Sequence, residues 1–325
     1  MNVRFKINRY LCYCNIKEFP VMDITPNLKD SKAALLNYFR NRAEEEIQYL
    51  ANEYTANEFK EKTRELNHSL IQSRDNIITA IKETADKEGW NRMDMLECIL
   101  MVVYTNDVVM LESRNSIWAY DYMAFSRRVG ELWEPFCKVC FNHPLTAIRP
   151  YIAPLFSDVK RDLANEIKDF ISGLRITSNE KKQLNIYYDK VWGLVTSGEV
   201  KLECDLHFTD GNTKYVVDFK SGFGSNEKGN TNRLLLVGAI YKSMEQNYKC
   251  MLFVRSEQNN HYLKTLENSG AWSASCGNET YNRIEEYTGY NLRGWIDRHL
   301  NWMDDFAPAM AHHVENNNLQ EYLVW

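Results

Sequence analysis

Residues 198–230 read GEVKLECDLHFTDGNTKYVVDFKSGFGSNEKGN, two strand-like runs flanking a turn. Across 201–208, Lys201, Glu203, Asp205 and His207 alternate with Leu202, Cys204, Leu206 and Phe208, which is the period of a strand with one polar and one apolar face. Thr209-Asp210-Gly211-Asn212 is turn chemistry, because Gly and Asn tolerate the positive φ that tight hairpins need. Residues 214–220 form the return strand, with Val216, Asp218 and Lys220 on one face and Tyr215, Val217 and Phe219 on the other. If Gly211-Asn212 is the two-residue turn, Asp205 falls opposite Asp218; if Asp210-Gly211 is, Glu203 does. Either register sets two carboxylates side by side, with Lys220 two residues along the same face. Directly opposed like charges destabilise a sheet. The arrangement needs a reason, and a divalent cation supplies one.

The order of these residues, Asp205, twelve residues, then Asp218-Phe219-Lys220, resembles the PD-(D/E)xK nuclease superfamily, which includes most type II restriction endonucleases. The strand–turn–strand context is that of the family, and a polar Gly-rich loop and a helix over 230–245 follow it. The resemblance covers residues 130–255. It implies an α/β (α+β) fold, a restriction-endonuclease-like central mixed sheet flanked by helices. It also implies a magnesium-dependent phosphodiester hydrolase, with manganese able to substitute. Asp205 and Asp218 would bind the metal together with the backbone carbonyl of Phe219, and Lys220 would position or deprotonate the attacking water. The two carboxylates are then expected close enough to share one ion, with Lys220 pointing into the same space. Glu203 is a spare carboxylate on the same face, available to orient a water or a second ion. In the superfamily a preceding helix often carries Gly-x-x-x-Glu, and Gly130-Glu131-Leu132-Trp133-Glu134 resembles it, which makes Glu134 the fourth catalytic candidate. Pro135 departs from the pattern, since a proline inside a helix removes a hydrogen bond and kinks it, and leaves Glu131 as the alternative. The plain alternative for both acids is a solvated helix face.

The chemistry explains why these residue types are wanted. Magnesium takes hard oxygen ligands and keeps several waters. It relieves charge at phosphorus and lowers the pKa of a bound water, while an ammonium offsets phosphate charge. After Lys220, short polar side chains among three glycines let backbone amides approach a phosphate chain. Asn and Arg can also read base edges. Ser221, Asn226, Lys228, Asn230, Asn232 and Arg233 are therefore the DNA-binding candidates.

The chain of 325 residues is 44 % hydrophobic and 26 % charged, with a net charge of −5. It has the composition of a globular protein, and no global basic field argues for charge-driven nucleic-acid binding. No apolar run approaches the ~18–20 residues of a membrane span, and residues 1–19 have no apolar signal core. Eight irregularly spaced cysteines without an export signal predict reduced thiols and a cytoplasmic protein. Cys12-x-Cys14 and Cys137-x-x-Cys140 have half the spacing of a zinc site, but buried free thiols are the simpler reading.

The remaining pattern divides the chain into a mainly helical region, 1–119, with a dimerisation or DNA-contact role, and a catalytic domain, 120–325. Asp30-Ser31 is an N-cap region for a helix that continues, with a second run at 66–81, to about Lys87. Residues 93–111 read as one buried helix with a break near Asn106, and Val129, Leu132, Trp133, Phe136, Val139 and Cys140 make a helical stripe. The proline-bearing 143–154 is a loop and a candidate boundary. Ser157 caps a helix to about Ile171, Asn179 starts another to about Val195, and 250–254 is a third strand. Helices are expected at 258–266, 278–287 and 292–303, and His312-His313 at the surface.

The leading reading is a type II restriction endonuclease, a site-specific deoxyribonuclease cutting double-stranded DNA. It would act as a homodimer, because two strands need two hydrolytic centres and the chain has one hairpin of this form. A cognate DNA methyltransferase is expected in the same system. A RecB-like nuclease without sequence specificity is the alternative within the superfamily, although Tyr241 has no Gln four residues before it. A non-catalytic nuclease-like interaction protein is the alternative of another class.

Overall fold

The computed structural model describes residues 23–195, 200–244 and 247–325. The chain divides into two compact units, 1–117 and 118–325. Among the described residues no helix is long and apolar enough to cross a membrane.

The first unit is helical. A 3-10 turn, Pro26–Asp30, leads into α1 (Lys32–Glu53), then α2 (Phe59–Glu88) and α3 (Arg92–Ile117). Leu35, Leu36, Phe39, Ala43 and Leu50 form the buried stripe of α1, and Leu66, Leu70, Ile77, Ile81 and Ala85 that of α2. Both helices pack on α3, which is buried on all sides from Cys98 to Leu111. The apolar stripes thus find their partner within the unit. Three details differ from the sequence pattern. Ser31 occupies the N-cap of α1 but makes no capping bond; its hydroxyl donates to the Asn27 carbonyl. A turn at 54–58 separates α1 from α2, and Glu58 accepts there from the Thr55 amide and hydroxyl. Finally, α3 runs unbroken through Asn106, whose side chain is buried within it.

The second unit is mixed α and β. Its sheet has five strands in the order β1 (Arg149–Pro150), β2 (Leu206–Thr209), β3 (Lys214–Lys220), β4 (Tyr248–Val254) and β5 (Trp272–Cys276). β2 pairs antiparallel with both β1 and β3, and β3, β4 and β5 are parallel. Parallel neighbours need crossover segments. Here α7 (Lys228–Ser243) connects β3 to β4, and α8 (His261–Asn268) connects β4 to β5. These two helices cover one face, where Val216, Leu234, Val237, Tyr241, Leu252 and Leu266 share a core. The other face carries α4 (Tyr122–Asn142) and α9 (Asn278–Thr288) over an aromatic layer. In that layer Phe219 meets Trp133 at 5.6 Å and Phe253 at 5.3 Å, and Phe208 stacks on Tyr215 at 4.7 Å.

Several boundaries move. β1 falls inside 143–154, so that stretch adds a sheet edge and is no domain boundary. α5 (Phe156–Gly173) has Leu155, not Ser157, at its N-cap, and α6 (Ser178–Val195) starts one residue before Asn179. Residues 258–260 are not helical, because Asn260 caps α8 by accepting from the Tyr262 amide. The 292–303 segment splits into α10 (Leu292–His299) and α11 (Trp302–Asp305), followed by α12 (Pro308–Asn316). His312 is exposed, whereas half-buried His313 bonds the Tyr120 carbonyl at 2.9 Å.

Candidate active site

The hairpin turn sets the site. Asp210 Oδ1 accepts from the Asn212 and Thr213 amides at 2.9 and 2.8 Å, and Gly211 takes φ 100°, which needs a glycine. The turn pairs Thr209 with Lys214 and Leu206 with Val217. That register sets Asp205 across from Asp218 and excludes Glu203 from that position. The strand expected over 201–208 begins only at Leu206. Before it the chain leaves the sheet. Leu202 and Cys204 pack in the α7-side core with Val216, on the opposite face from Phe208. The Tyr241 hydroxyl donates to the Leu202 carbonyl at 3.0 Å, and the Cys204 amide donates to His207 Nε2 at 2.9 Å. Glu203 is exposed and does not join the acids. Asp205, one residue outside β2, turns its carboxylate onto the sheet, and Oδ2 accepts the Phe219 amide at 2.7 Å.

Asp218 has no exposed surface. The Arg233 guanidinium donates to its Oδ1 at 2.7 Å, and the Lys220 ammonium forms an ion pair at Oδ2 that does not have hydrogen-bond geometry. Lys220 Nζ also donates to the Phe219 carbonyl at 3.1 Å. The acids feel one another. Burial and the Asp218 carboxylate push Asp205 up to about 6, Glu134 adds to the rise, and the Phe219 amide and Lys220 oppose it. Burial opposes the charge of Arg233, but Asp218 outweighs it and holds the guanidinium above its ordinary value.

α4 passes through Pro135, whose ring is exposed, without ending. Gly130 on this helix is buried against the end of β3: a Cβ there would lie 2.3 Å from Ser221 Oγ. The close approach brings Glu134, one turn later, to the sheet. Glu134 accepts from Lys138 at 3.0 Å and acts on Asp205. Glu131 is exposed and pairs with Arg127 and Arg128. A cavity of about 310 Å³ opens here, lined by Gly130, Glu134, Phe219, Lys220, Ser221 and Arg255 among others. Asp205 and Asp218 lie outside its lining.

Of the loop residues, Ser221, Asn226, Lys228, Asn230 and Asn232 are exposed. Arg233 is half-buried, and its Nη2 is bound to Asp218. Sequence reasoning missed this pairing and missed Arg255. The signal for Arg255 was its place directly after the apolar run 250–254, at the same sheet end as Lys220.

Among the described residues no three His, Cys, Asp or Glu side chains converge as a ready metal cage. The donor chemistry nevertheless fits a hard divalent cation: Asp218 Oδ2 is buried and touches the Lys220 ammonium without a hydrogen bond, and Asp205 is destabilised as an anion by burial and its acidic neighbours. Zinc is not supported at Cys137 and Cys140, both fully buried in α4 with thiols raised by burial. Cys12 and Cys14 lie outside the described residues, as does the rest of the 1–19 segment read for an export signal. Comparison of the chain with family models, curated proteins and solved structures returns no match.

Proposed function

We propose that the chain is a metal-dependent nuclease of the PD-(D/E)xK class, acting on double-stranded DNA as a type II restriction endonuclease does. The observation that carries this reading is the meeting at Phe219. Asp205 binds its amide, Lys220 its carbonyl, and Asp218, the preceding residue, holds Lys220. An antiparallel hairpin followed by parallel strands with helical crossovers is compatible with a restriction-endonuclease-like domain. Fold alone does not argue activity.

Asp205, Asp218 and the Phe219 carbonyl would hold a magnesium ion, with Glu134 nearest to them on α4. Bound there, the ion would supply charge relief at phosphorus and a more acidic water. The remaining work falls to the chain. Lys220, at the border between Asp218 and the cavity, would orient the attacking water, take its proton as the free amine, and as the resulting ammonium offset phosphate charge. Its release from Asp218 Oδ2 is required, because the two are in contact. The exposed loop residues Ser221, Asn226, Lys228, Asn230 and Asn232 touch phosphate and base edges. A second copy of the chain supplies the second centre for a double-strand break, and a cognate methyltransferase protects the host sequence.

Incubation with plasmid DNA and magnesium tests the reading. Discrete bands support a site-specific enzyme, and a smear supports a RecB-like nuclease without specificity. Intact plasmid, together with no magnesium or manganese binding, identifies a non-catalytic interaction protein. The closed ion pairs of Asp218 keep that second reading in view.

A further inference from the structure

Arg255 follows β4 directly, and its amide donates to the Lys220 carbonyl at 2.9 Å, which sets it beside the last residue of the adjacent parallel strand β3. Its side chain lines the cavity of about 310 Å³. The other charges around that cavity are matched: Lys220 by Asp218, Arg127 by Glu131 and Glu134 by Lys138. Among the described residues, no carboxylate pairs with Arg255, and its Nη1 is buried without a hydrogen-bond partner. Burial pulls the guanidinium below its ordinary value. A half-buried cation with an unbonded, buried donor is costly, and a perturbed charge in a cleft marks a functional-site candidate.

The surroundings specify what would match it. A guanidinium is a planar fork suited to two oxygens of one phosphate. The Ser221 side chain stands at the same wall. Gly130 lacks the Cβ that would lie 2.3 Å from Ser221 Oγ and 3.8 Å from Arg255 Nη2. We propose that Arg255, with Ser221, is the seat for a phosphodiester in this cavity, donating to its non-bridging oxygens beside Lys220. The identification of the anion as a nucleic-acid phosphodiester rests on the nuclease reading.

The test uses the full chain and the dinucleotide TpT, which carries one phosphodiester, without added metal. Phosphorus NMR titration should show saturable binding. Arg255→Gln should weaken it roughly tenfold or more, and Arg255→Lys should restore part of it. Thermal melting of Arg255→Gln should be no lower than wild type, because the change removes an unmatched charge; a purely structural arginine would give a lower one. Equal TpT affinity in wild type and Arg255→Gln overturns the proposal, as does absence of saturable binding by wild type. The two readings fail separately. Arg255-dependent TpT binding by a chain that cuts no DNA keeps the anion seat and removes the nuclease. Wild-type cleavage by Arg255→Gln, with Asp218→Asn inactive, does the reverse.

Discussion

The Cys204 amide donates to His207 Nε2 at 2.9 Å, which ties a residue outside the sheet to one three positions later inside it. The contact fixes the tautomer: the proton sits on Nδ1, which faces the Tyr151 hydroxyl at 3.3 Å. The bend it closes contains Asp205. A backbone loop held by a neutral imidazole therefore delivers one carboxylate of the proposed site, and that dependence can be tested.

His207 is held neutral by burial, which lowers it from 6.5 to about 4. Its contribution to stability is full above pH 6.5 and is lost as pH falls through about 4. His207→Gln keeps an acceptor that does not titrate. Chemical denaturation at pH 7 and pH 4.5 should show wild type losing more stability than the variant. Equal losses would remove the imidazole from this role. His207→Ala should cost about 1–3 kcal/mol at pH 7, the penalty for an unsatisfied buried amide.

Asp205 has the opposite sign. Its native pKa is raised from 3.8 to about 6, so its contribution is full below pH 3.8 and lost as pH rises through about 6. In chelator, Asp205→Asn should melt higher relative to wild type at pH 7 than at pH 4. Magnesium should narrow the difference at pH 7 by stabilising only the wild-type carboxylate. A difference that ignores both pH and magnesium would take Asp205 out of the acid cluster.

Asp218 should be irreplaceable for cleavage, and the geometry adds that it is structural. Asp218→Ala leaves Lys220 and Arg233 without their anion. The loss should be about 2–3 kcal/mol, below the roughly 3–5 kcal/mol of a fully buried pair because Arg233 remains 38 % exposed. Asp218→Asn, which keeps the shape, should lose less stability and equally abolish cleavage. Calorimetry with a plasmid assay separates the two effects. Cleavage by either variant would relocate the active site.

Gly130→Ala places a methyl 2.3 Å from Ser221 Oγ and 3.2 Å from its Cβ. It should cost about 1–3 kcal/mol by overpacking and displace Glu134 from the sheet. Ser221→Gly in the same chain should recover most of that stability. A double-mutant cycle reads the coupling; additive losses would mean that the helix does not depend on this approach.

The hairpin was legible because its signals are local. Period-two alternation from Lys214 to Lys220 and an Asp-Gly-Asn turn specify strand and register chemistry within a dozen residues. The stripes of α1, α2 and α4 were legible for the same reason, a period of 3.6. Alternation also misled. Residues 201–204 carry it, yet they leave the sheet, because Leu202 and Cys204 gain burial with Val216 and the amide of Cys204 finds His207. β1 and β5 were missed because strands of two and five residues with polar or mixed composition carry too short a pattern.

The sequence by itself therefore determined a hairpin with Asp205, Asp218 and Lys220 in fixed order, a helical first third, and a helix bearing Gly130 and Glu134 before the hairpin. Only the tertiary structure decided which acids meet. It chose the register that excludes Glu203, bound Arg233 of α7 to Asp218 and left Arg255 unmatched beside a cavity. The reason is range. Alternation and turn chemistry act between neighbours along the chain, whereas charge pairing and desolvation act between residues that only folding brings together.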